Sequence, residues 1–322
     1  MNARPGGFSV SREVLFAFAA LAVVLGLGSV FHAHGLFFKP ETHALALWAV
    51  SGYGILACGM TVVIVTAGID LSVGSLVALA GIVFAMGTMN AEWPGWIAVP
   101  AAVLVGAACG LFSGTLVALL RLQPFIATLA MMAFARGMAK WLTGGVKVQK
   151  MPPPATVEAL NAKLAIFGVD VSISVFLFLG CVALTASFLR ALRFGRYVYA
   201  IGDNEEAARL SGVPVRLTKT LAYVLCGALA GLAGVLFAAV ERQGNPDAGV
   251  GYELTAIAMV VVGGTSLMGG RGGVVLTVLG ALTIGYLRKI LDINGVPTPQ
   301  QLMITGGIIV LAVLVQSLKT EG

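Results

Sequence analysis

The chain has 322 residues, of which 58% are hydrophobic and 11% are charged, with a net charge of +6 and a mean hydropathy of +0.97. A soluble globular domain carries about 25% charged residues. The composition therefore excludes that class and predicts one all-α, polytopic membrane domain over residues 1–322. The excess of cations is then a matter of membrane topology and not of nucleic-acid binding, because no cluster of aromatic and basic residues accompanies it.

Ten apolar segments have about the length of 20 residues that a membrane-spanning helix needs. The predicted spans are residues 14–31, 44–66, 72–89, 96–120, 124–143, 171–189, 218–240, 251–268, 273–290 and 301–318. The loop 190–219 carries six of the 20 lysines and arginines, which assigns it to the cytoplasm. About ten spans with this loop inside predict cytoplasmic N- and C-termini.

The stretch GIDLS, residues 68–72, interrupts a run that is too long for one helix and carries its one acidic residue, Asp70. A helix begun at Ala44 would extend about 40 Å before Asp70, whereas the hydrocarbon core is about 30 Å thick. Asp70 is therefore expected at the inner interface, where Gly68 would end one span and Asp70 or Ser72 would cap the next. A role in a gate or pathway is the alternative.

Arg136 and Lys140 lie one turn apart in the span 124–143 and share a helix face. Either both side chains extend to the outer interface, or Arg136 faces a wet interior path. The segment 144–170 that follows is predicted to be a large extracytoplasmic connector, stiffened by its three consecutive prolines.

The cytoplasmic sequence GDNEEAARLSGV, residues 202–213, predicts a short amphipathic helix. Asp203 or Asn204 is placed to cap it, acidic residues occupy its first turn, and Gly212 stops it. Such a helix either docks into a groove on another protein or is a solvated surface loop.

The second glycine-rich stretch has six glycines in residues 263–273 and predicts a tight reversal between two spans. It lacks the GK[ST] of a phosphate-binding loop, so no nucleotide site is expected. His32 and His34 lie in a loop, and each of the four cysteines stands alone in an apolar segment. No catalytic, metal or cofactor site is predicted, which disfavours an intramembrane enzyme.

Four stretches in order resemble the permease subunits of bacterial carbohydrate ABC importers, the ribose, xylose, arabinose and galactofuranose group. They are GIDLSVGSLVALAG, LQPFIATLAMMAFARGMAKWLTGG, GRYVYAIGDNEEAARLSGV and VVVGGTSLMGGRGG. The resemblance runs from about residue 44 to residue 316 and implies a subunit of the bacterial inner membrane without an ATP site. Its implied partners are a cytoplasmic ATPase subunit, a periplasmic sugar-binding protein, membrane lipid and a second permease copy, identical or paralogous.

The resemblance also implies that residues 203–213 form the coupling helix that rests in a groove of the ATPase. The contact residues it implies are Asp203, Glu205, Glu206, Ala208 and Gly212. Candidates for the path or gate of a pentose or hexose are Asp70, Ser72, Gln123, Thr128, Arg136 and Asn245. A permease for a nucleoside, a branched-chain amino acid or a signalling sugar is an alternative. So is an ion-coupled secondary transporter that uses Asp70.

Overall fold

A computed structural model describes residues 12–320, so that the predicted cytoplasmic termini, residues 1–11 and 321–322, lie outside the described residues. The helices are α1 Arg12–Val30, α2 Pro40–Val65, α3 Val73–Ala85, α4 Gly95–Ala118, α5 Pro124–Thr143, α6 Ala155–Leu160, α7 Ile173–Arg190, α8 Arg193–Asp203, α9 Glu205–Leu210, α10 Val215–Glu241, α11 Tyr252–Val262, α12 Val274–Ile293 and α13 Thr298–Thr320. A single 3-10 turn, Leu36–Phe38, precedes α2, and a π-helical turn, Met86–Asn90, extends α3.

Each of the ten predicted spans coincides with a helix, and eight helices in the described part of the chain are long and apolar enough to cross a membrane. The prediction of a span over 251–268 is wrong in length. α11 has 11 residues, or about 16 Å, and ends before the glycine pair Gly263 and Gly264. Gly264 has a φ of +101°, which only glycine adopts readily, so the helix cannot continue.

The interior of the bundle is formed mainly by α2, α3, α10 and α12, which are more deeply buried than α1, α5 and α7. α10 packs closely on α4 because glycines face each other across the contact: a Cβ on Gly106 would overlap the carbonyl oxygen of Gly227, and a Cβ on Gly227 that of Gly106. The glycines at this contact therefore allow the two helices to approach closely within the subunit.

α2 runs antiparallel to both α10 and α12, which fixes the relative depth of side chains along the bundle. Gly59 of α2 lies against Cys226 of α10. The hydroxyls of Thr61 and Thr277 are 2.6 Å apart and join α2 to α12. These contacts place the C-terminal end of α2 beside the N-terminal parts of α10 and α12.

The segment 144–170, predicted as a large stiff connector, contains secondary structure of its own. It contains α6 and the strand β1, Lys163–Ile166, which pairs antiparallel with β2, Val169–Ser172. The backbones of Val148 and Gly244 also pair, in a single bridge. Val157 of α6 is buried against α10.

Candidate functional site

Three stretches that are far apart in sequence meet at the C-terminal end of α2, and we call this contact the inner junction. The carbonyl oxygen of Val65 accepts a hydrogen bond from the backbone N–H of Gly270, at 3.0 Å. Gly202, near the end of α8, touches the same carbonyl, and a Cβ there would overlap it. Gly270 in turn packs on the backbone of Asp203. The break after α2, helix α8 and the glycine-rich loop thus form one backbone-to-backbone contact.

A side-chain hydrogen bond reinforces the inner junction. Tyr199 of α8 donates its hydroxyl proton to the carbonyl oxygen of Gly272, at 2.9 Å. Burial raises the pKa of Tyr199, so the hydroxyl stays protonated and remains a donor at neutral pH. α8 is therefore fixed to the glycine-rich loop both by its backbone and by a side chain.

The C-terminal end of α2 is closed by Ala67, and not by Gly68 as the sequence suggests. Ala67 has a φ of +58° and donates its N–H to Ile64, while the N–H of Gly68 bonds to Val63. This is a Schellman end with alanine in the left-handed position that glycine normally occupies. Gly68 has a different role, because a Cβ there would lie 2.8 Å from the hydroxyl of Tyr223.

Asp70 organises the turn into α3 without capping the helix itself. Its Oδ1 accepts from the backbone N–H of Ser72 at 2.9 Å and from the Ser72 hydroxyl at 2.6 Å. Ser72 occupies the N-cap position of α3, but its side chain makes no capping hydrogen bond. Ser72 therefore stands at the predicted N-cap position, but neither its hydroxyl nor the Asp70 carboxylate accepts from an N–H group of α3. The carboxylate bonds instead to Ser72, the residue just before the helix.

Asp70 is fully buried and not at an exposed interface. The thiol of Cys226 lies beside the carboxyl, and Cys226 is level with Gly59. The carboxyl of Asp70 therefore lies near the level of Gly59, about two turns before the C-terminal end of α2. It reaches this level because the chain folds back into the bundle after Ala67. Its Oδ2 receives no hydrogen bond from an N–H or O–H group among the described residues.

The helix predicted over 203–213 is shorter in the structure, because Asp203 ends α8 and Asn204 caps α9. The Oδ1 of Asn204 accepts from the N–H of Ala207 at 2.9 Å. Ala208 is buried against Ile201 and Val215. Ala208 therefore faces the protein and attaches α9 to it, whereas the side chain of Asp203 is exposed.

The opposite face of α9 is exposed and carries the remaining predicted contact residues. Glu205 pairs with Lys219, and Glu206 makes two hydrogen bonds with Arg209. The hydrogen bond from Arg209 holds the pKa of Glu206 below its usual value, so the pair stays charged at neutral pH. Gly212 ends the segment with a φ of +81° and has open space around it. Leu210 is 75% exposed.

A cleft of about 740 Å³ lies between the α9–α10 segment and the turn from α4 to α5. Gln123 lines this cleft and is exposed. Thr128 is buried, and its hydroxyl donates to the carbonyl oxygen of Pro124 at 2.9 Å, within its own helix. The cleft is lined by one acidic and four basic side chains, Glu205, Arg121, Arg209, Arg216 and Lys219.

Arg136 points into the protein, toward the loop 242–251. Its Nη1 donates to the carbonyl oxygens of Pro246 and Ala248, at 2.6 Å each. Lys140, one turn later, is half exposed and pairs with Asp247 at 2.7 Å. The guanidinium of Arg136 holds the loop 242–251, which favours the interior alternative over extension to the outer interface.

The loop 242–251 runs inward along α3. Asn245 accepts a hydrogen bond from the N–H of Asp247 at 3.0 Å, which shapes the turn. Gly249 then packs against Gly74, in the first turn of α3, so closely that a Cβ on either glycine would overlap the other's carbonyl oxygen. α11 starts beside this contact. The structure thus brings Ser72, Arg136 and Asn245 to one region, and leaves Gln123 and Thr128 elsewhere.

Sequence reasoning missed the polar and aromatic side chains that line this region from α2, α11 and α12. Arg288 appears in the sequence only as one more cation near a span end, and Tyr53 and Tyr252 as ordinary apolar-span residues. The carboxylate of Glu253 lies beside Gly74. The one sequence signal that could have found them is the glycine pair Gly263 and Gly264, which ends α11 early and places its first turn in the interior of the bundle.

The family model described as "Branched-chain amino acid transport system / permease component" matches residues 43–313. The chain belongs to this permease family. Its members are transport components and not enzymes, and a permease of this kind works with an ATPase and a substrate-binding partner. With eight candidate spans, the chain is a multi-pass membrane protein.

Curated relatives match nearly the whole chain. The "Ribose import permease protein RbsC" of Escherichia coli (strain K12) is 43% identical over 305 residues, which cover 93% of this chain and 92% of that protein. The "Fructose import permease protein FrcC" of Rhizobium meliloti is 34% identical over 94% of this chain and 82% of its own length. The "Xylose transport system permease protein XylH" of Haemophilus influenzae is 33% identical, over 96% and 97%. No solved structure matches the chain.

Proposed function

We propose that the chain is the transmembrane subunit of an ATP-driven importer that carries a pentose or hexose across the bacterial inner membrane. The observation that carries this proposal is the 43% identity to a ribose import permease over 93% of the chain. Fructose and xylose permeases among the relatives support a monosaccharide as the substrate class. The N- and C-termini would be cytoplasmic, and two permease copies, identical or paralogous, would enclose the path.

The geometry of α9 supports its role as the coupling helix. Its exposed face, with Glu206, Leu210 and Gly212, is available to a groove on the ATPase, while Ala208 attaches it to the protein. A displaced α9 would move α8, because Asn204 alone separates the two helices. α8 would then act on the end of α2 through the inner junction.

The charges beside α9 also support docking of this part of the protein on the ATPase. Four cations line the cleft next to α9, and only one of them, Lys219, is paired with the acidic residue that also lines it. An ATPase surface that carries carboxylates beside its groove would complement this cleft and speed association. We therefore include the cleft in the proposed ATPase interface.

Reconstitution tests the proposal. The purified chain alone is expected to show neither ATPase activity nor uptake. In proteoliposomes with its ATPase and binding protein, uptake of ribose, xylose or fructose should require ATP and should follow the sugar loaded on the binding protein. Robust sugar transport by the chain alone would contradict the ATP-driven mechanism.

The description of the matched family favours a second candidate substrate, a branched-chain amino acid. Leucine and a nucleoside therefore belong in the same uptake panel. ATP-dependent leucine uptake without uptake of any sugar would replace the sugar proposal by this candidate.

A further inference from the structure

Three aromatic rings from three different helices meet inside the bundle. The ring of Tyr53, in α2, lies 4.8 Å from the ring of Tyr252, in α11, and 5.3 Å from that of Phe237, in α10. The rings of Phe237 and Tyr252 are also 4.8 Å apart. All three residues are half-buried, so the group keeps an open side.

Arg288, in α12, completes this group. Its guanidinium carbon lies 5.5 Å from the centre of the Tyr53 ring, and its Nη2 donates to the hydroxyl of Thr255 at 3.1 Å. A guanidinium has five N–H donors. Within the described residues, Thr255 is its one hydrogen-bond partner, and Arg288 is half-buried. We call Tyr53, Phe237, Tyr252, Thr255 and Arg288 the aromatic–arginine cluster.

The cluster lies deep in the bundle. Tyr53 is the fourteenth of the 26 residues of α2, about 18–20 Å from either end. Val50 of α2 lies level with Gly285 of α12. Because the two helices are antiparallel, Tyr53 lies still nearer the N-terminal end of α12. The side chain of Arg288 therefore reaches toward that end, where it meets Tyr53 and Thr255. A cation that extended to the outer interface would point the other way. An aromatic belt at the membrane surface would likewise not be found at this depth.

The unused donors of Arg288 require a polar environment. Lipid tails offer no acceptor, and a charged group without partners at this depth is costly. Water or a passing polar solute can satisfy these donors. The cluster is therefore adjacent to a water-filled part of the permease.

We propose that the aromatic–arginine cluster contacts the transported solute, and that this solute is a neutral, polyhydroxylated ring such as a monosaccharide. Such a ring has an apolar C–H face that packs on aromatic side chains, and it has hydroxyl oxygens that accept from the unused N–H groups of Arg288. A mostly apolar surface with a few directed polar groups fits a small solute. The half-open geometry suits weak, transient binding, which a path requires for release. This inference rests on the proposed function.

The test uses the complete transporter in proteoliposomes, supplied with ATP and with binding protein loaded with one of two sugars. The sugars are a transported pentose and its analogue that lacks one hydroxyl. Arg288→Gln is expected to lower uptake of the pentose at least tenfold and to reduce the preference for the pentose over its deoxy analogue. The matched control is Lys289→Gln, in the next position, where the lysine pairs with Asp292. It should stay within twofold of the wild type.

Tyr252→Leu provides a second test that removes the aromatic ring and keeps an apolar side chain. A change of threefold or more in the preference between the two sugars, with ATPase stimulation by loaded binding protein retained, supports the proposal. If Arg288→Gln fails to assemble, this variant decides. Wild-type uptake and preference in the assembled variants would overturn the inference alone. A wild-type complex that transports leucine and no sugar would overturn the proposed function.

Discussion

The inner junction and the aromatic–arginine cluster are built in opposite ways. At the inner junction, glycines let backbone meet backbone, and the Val65 carbonyl receives both a hydrogen bond and a close contact. In the cluster, long side chains meet, and Arg288 has one hydrogen-bond partner among the described residues. Close-packed backbone transmits displacement because nothing in it can yield. Side chains with unused donors can instead exchange partners as a solute passes.

The largest loss of stability is expected from a substitution at the close-packed inner junction. Gly202→Val adds a Cβ where the Val65 carbonyl oxygen already lies. Overpacking of this kind costs about 3 kcal/mol or more. The melting temperature in detergent should fall clearly, and ATPase stimulation by loaded binding protein should be lost.

The control for this variant is Gly180→Ala, in α7, where an added Cβ meets nothing within 4 Å. It should leave both measurements unchanged. A Gly202→Val protein with normal stability and normal stimulation would show that the inner junction is not close-packed.

The second prediction concerns the loop that lies between the two regions. Arg136→Ala removes the donor that serves two backbone carbonyls, Pro246 and Ala248. Hydrogen bonds to a charged donor contribute about 1.5–3 kcal/mol each, and buried acceptors left without partners add to the loss. We expect a loss of about 3 kcal/mol in stability and of most uptake.

Lys140→Gln is the matched change for Arg136, one turn away. It breaks only the exposed pair with Asp247, which is worth at most about 1 kcal/mol. Equal effects of the two variants on melting temperature and uptake would contradict the loop-holding role of Arg136.

A smaller effect is expected at Asp70. Asparagine keeps an oxygen that can accept from Ser72, so Asp70→Asn should cost less than about 1 kcal/mol and leave uptake within threefold of the wild type. Asp70→Ala removes that acceptor and should be less stable. An Asn variant that folds normally but does not transport would restore the gate interpretation.

The last variant, Glu206→Trp, is expected to leave stability unchanged. Glu206 is exposed, and its hydrogen-bond partner among the described residues is Arg209, a neighbour in the same segment. Glu206→Trp should therefore leave the melting temperature unchanged. Because the bulky ring would occupy the face proposed to enter the ATPase groove, ATP hydrolysis should continue with much reduced uptake. Normal uptake would exclude this face of α9 from coupling.

The sequence predicted well what depends on local pattern. Each of the ten apolar segments coincides with a helix. Asn204 was one of two proposed caps, since its short side chain suits that position. These features are visible in a sequence because their cause lies within a few residues.

What the sequence did not predict depends on contacts between distant segments. The direction of Arg136 is decided by carbonyls more than a hundred residues later. The left-handed Ala67 has no sequence signal, because glycine is the usual residue there and Gly68 is its neighbour. Arg288 looked like a surface cation, since only the start of α11 inside the bundle places Thr255 beside it.

The shortness of α11 has a consequence for how the protein is made. With 11 residues, this helix is about 16 Å long and cannot cross a bilayer of about 30 Å by itself. It therefore cannot leave the insertion machinery as an independent span. It has to enter the membrane together with the loop before it and α12 after it, so that biogenesis of this part of the chain proceeds as one cooperative unit.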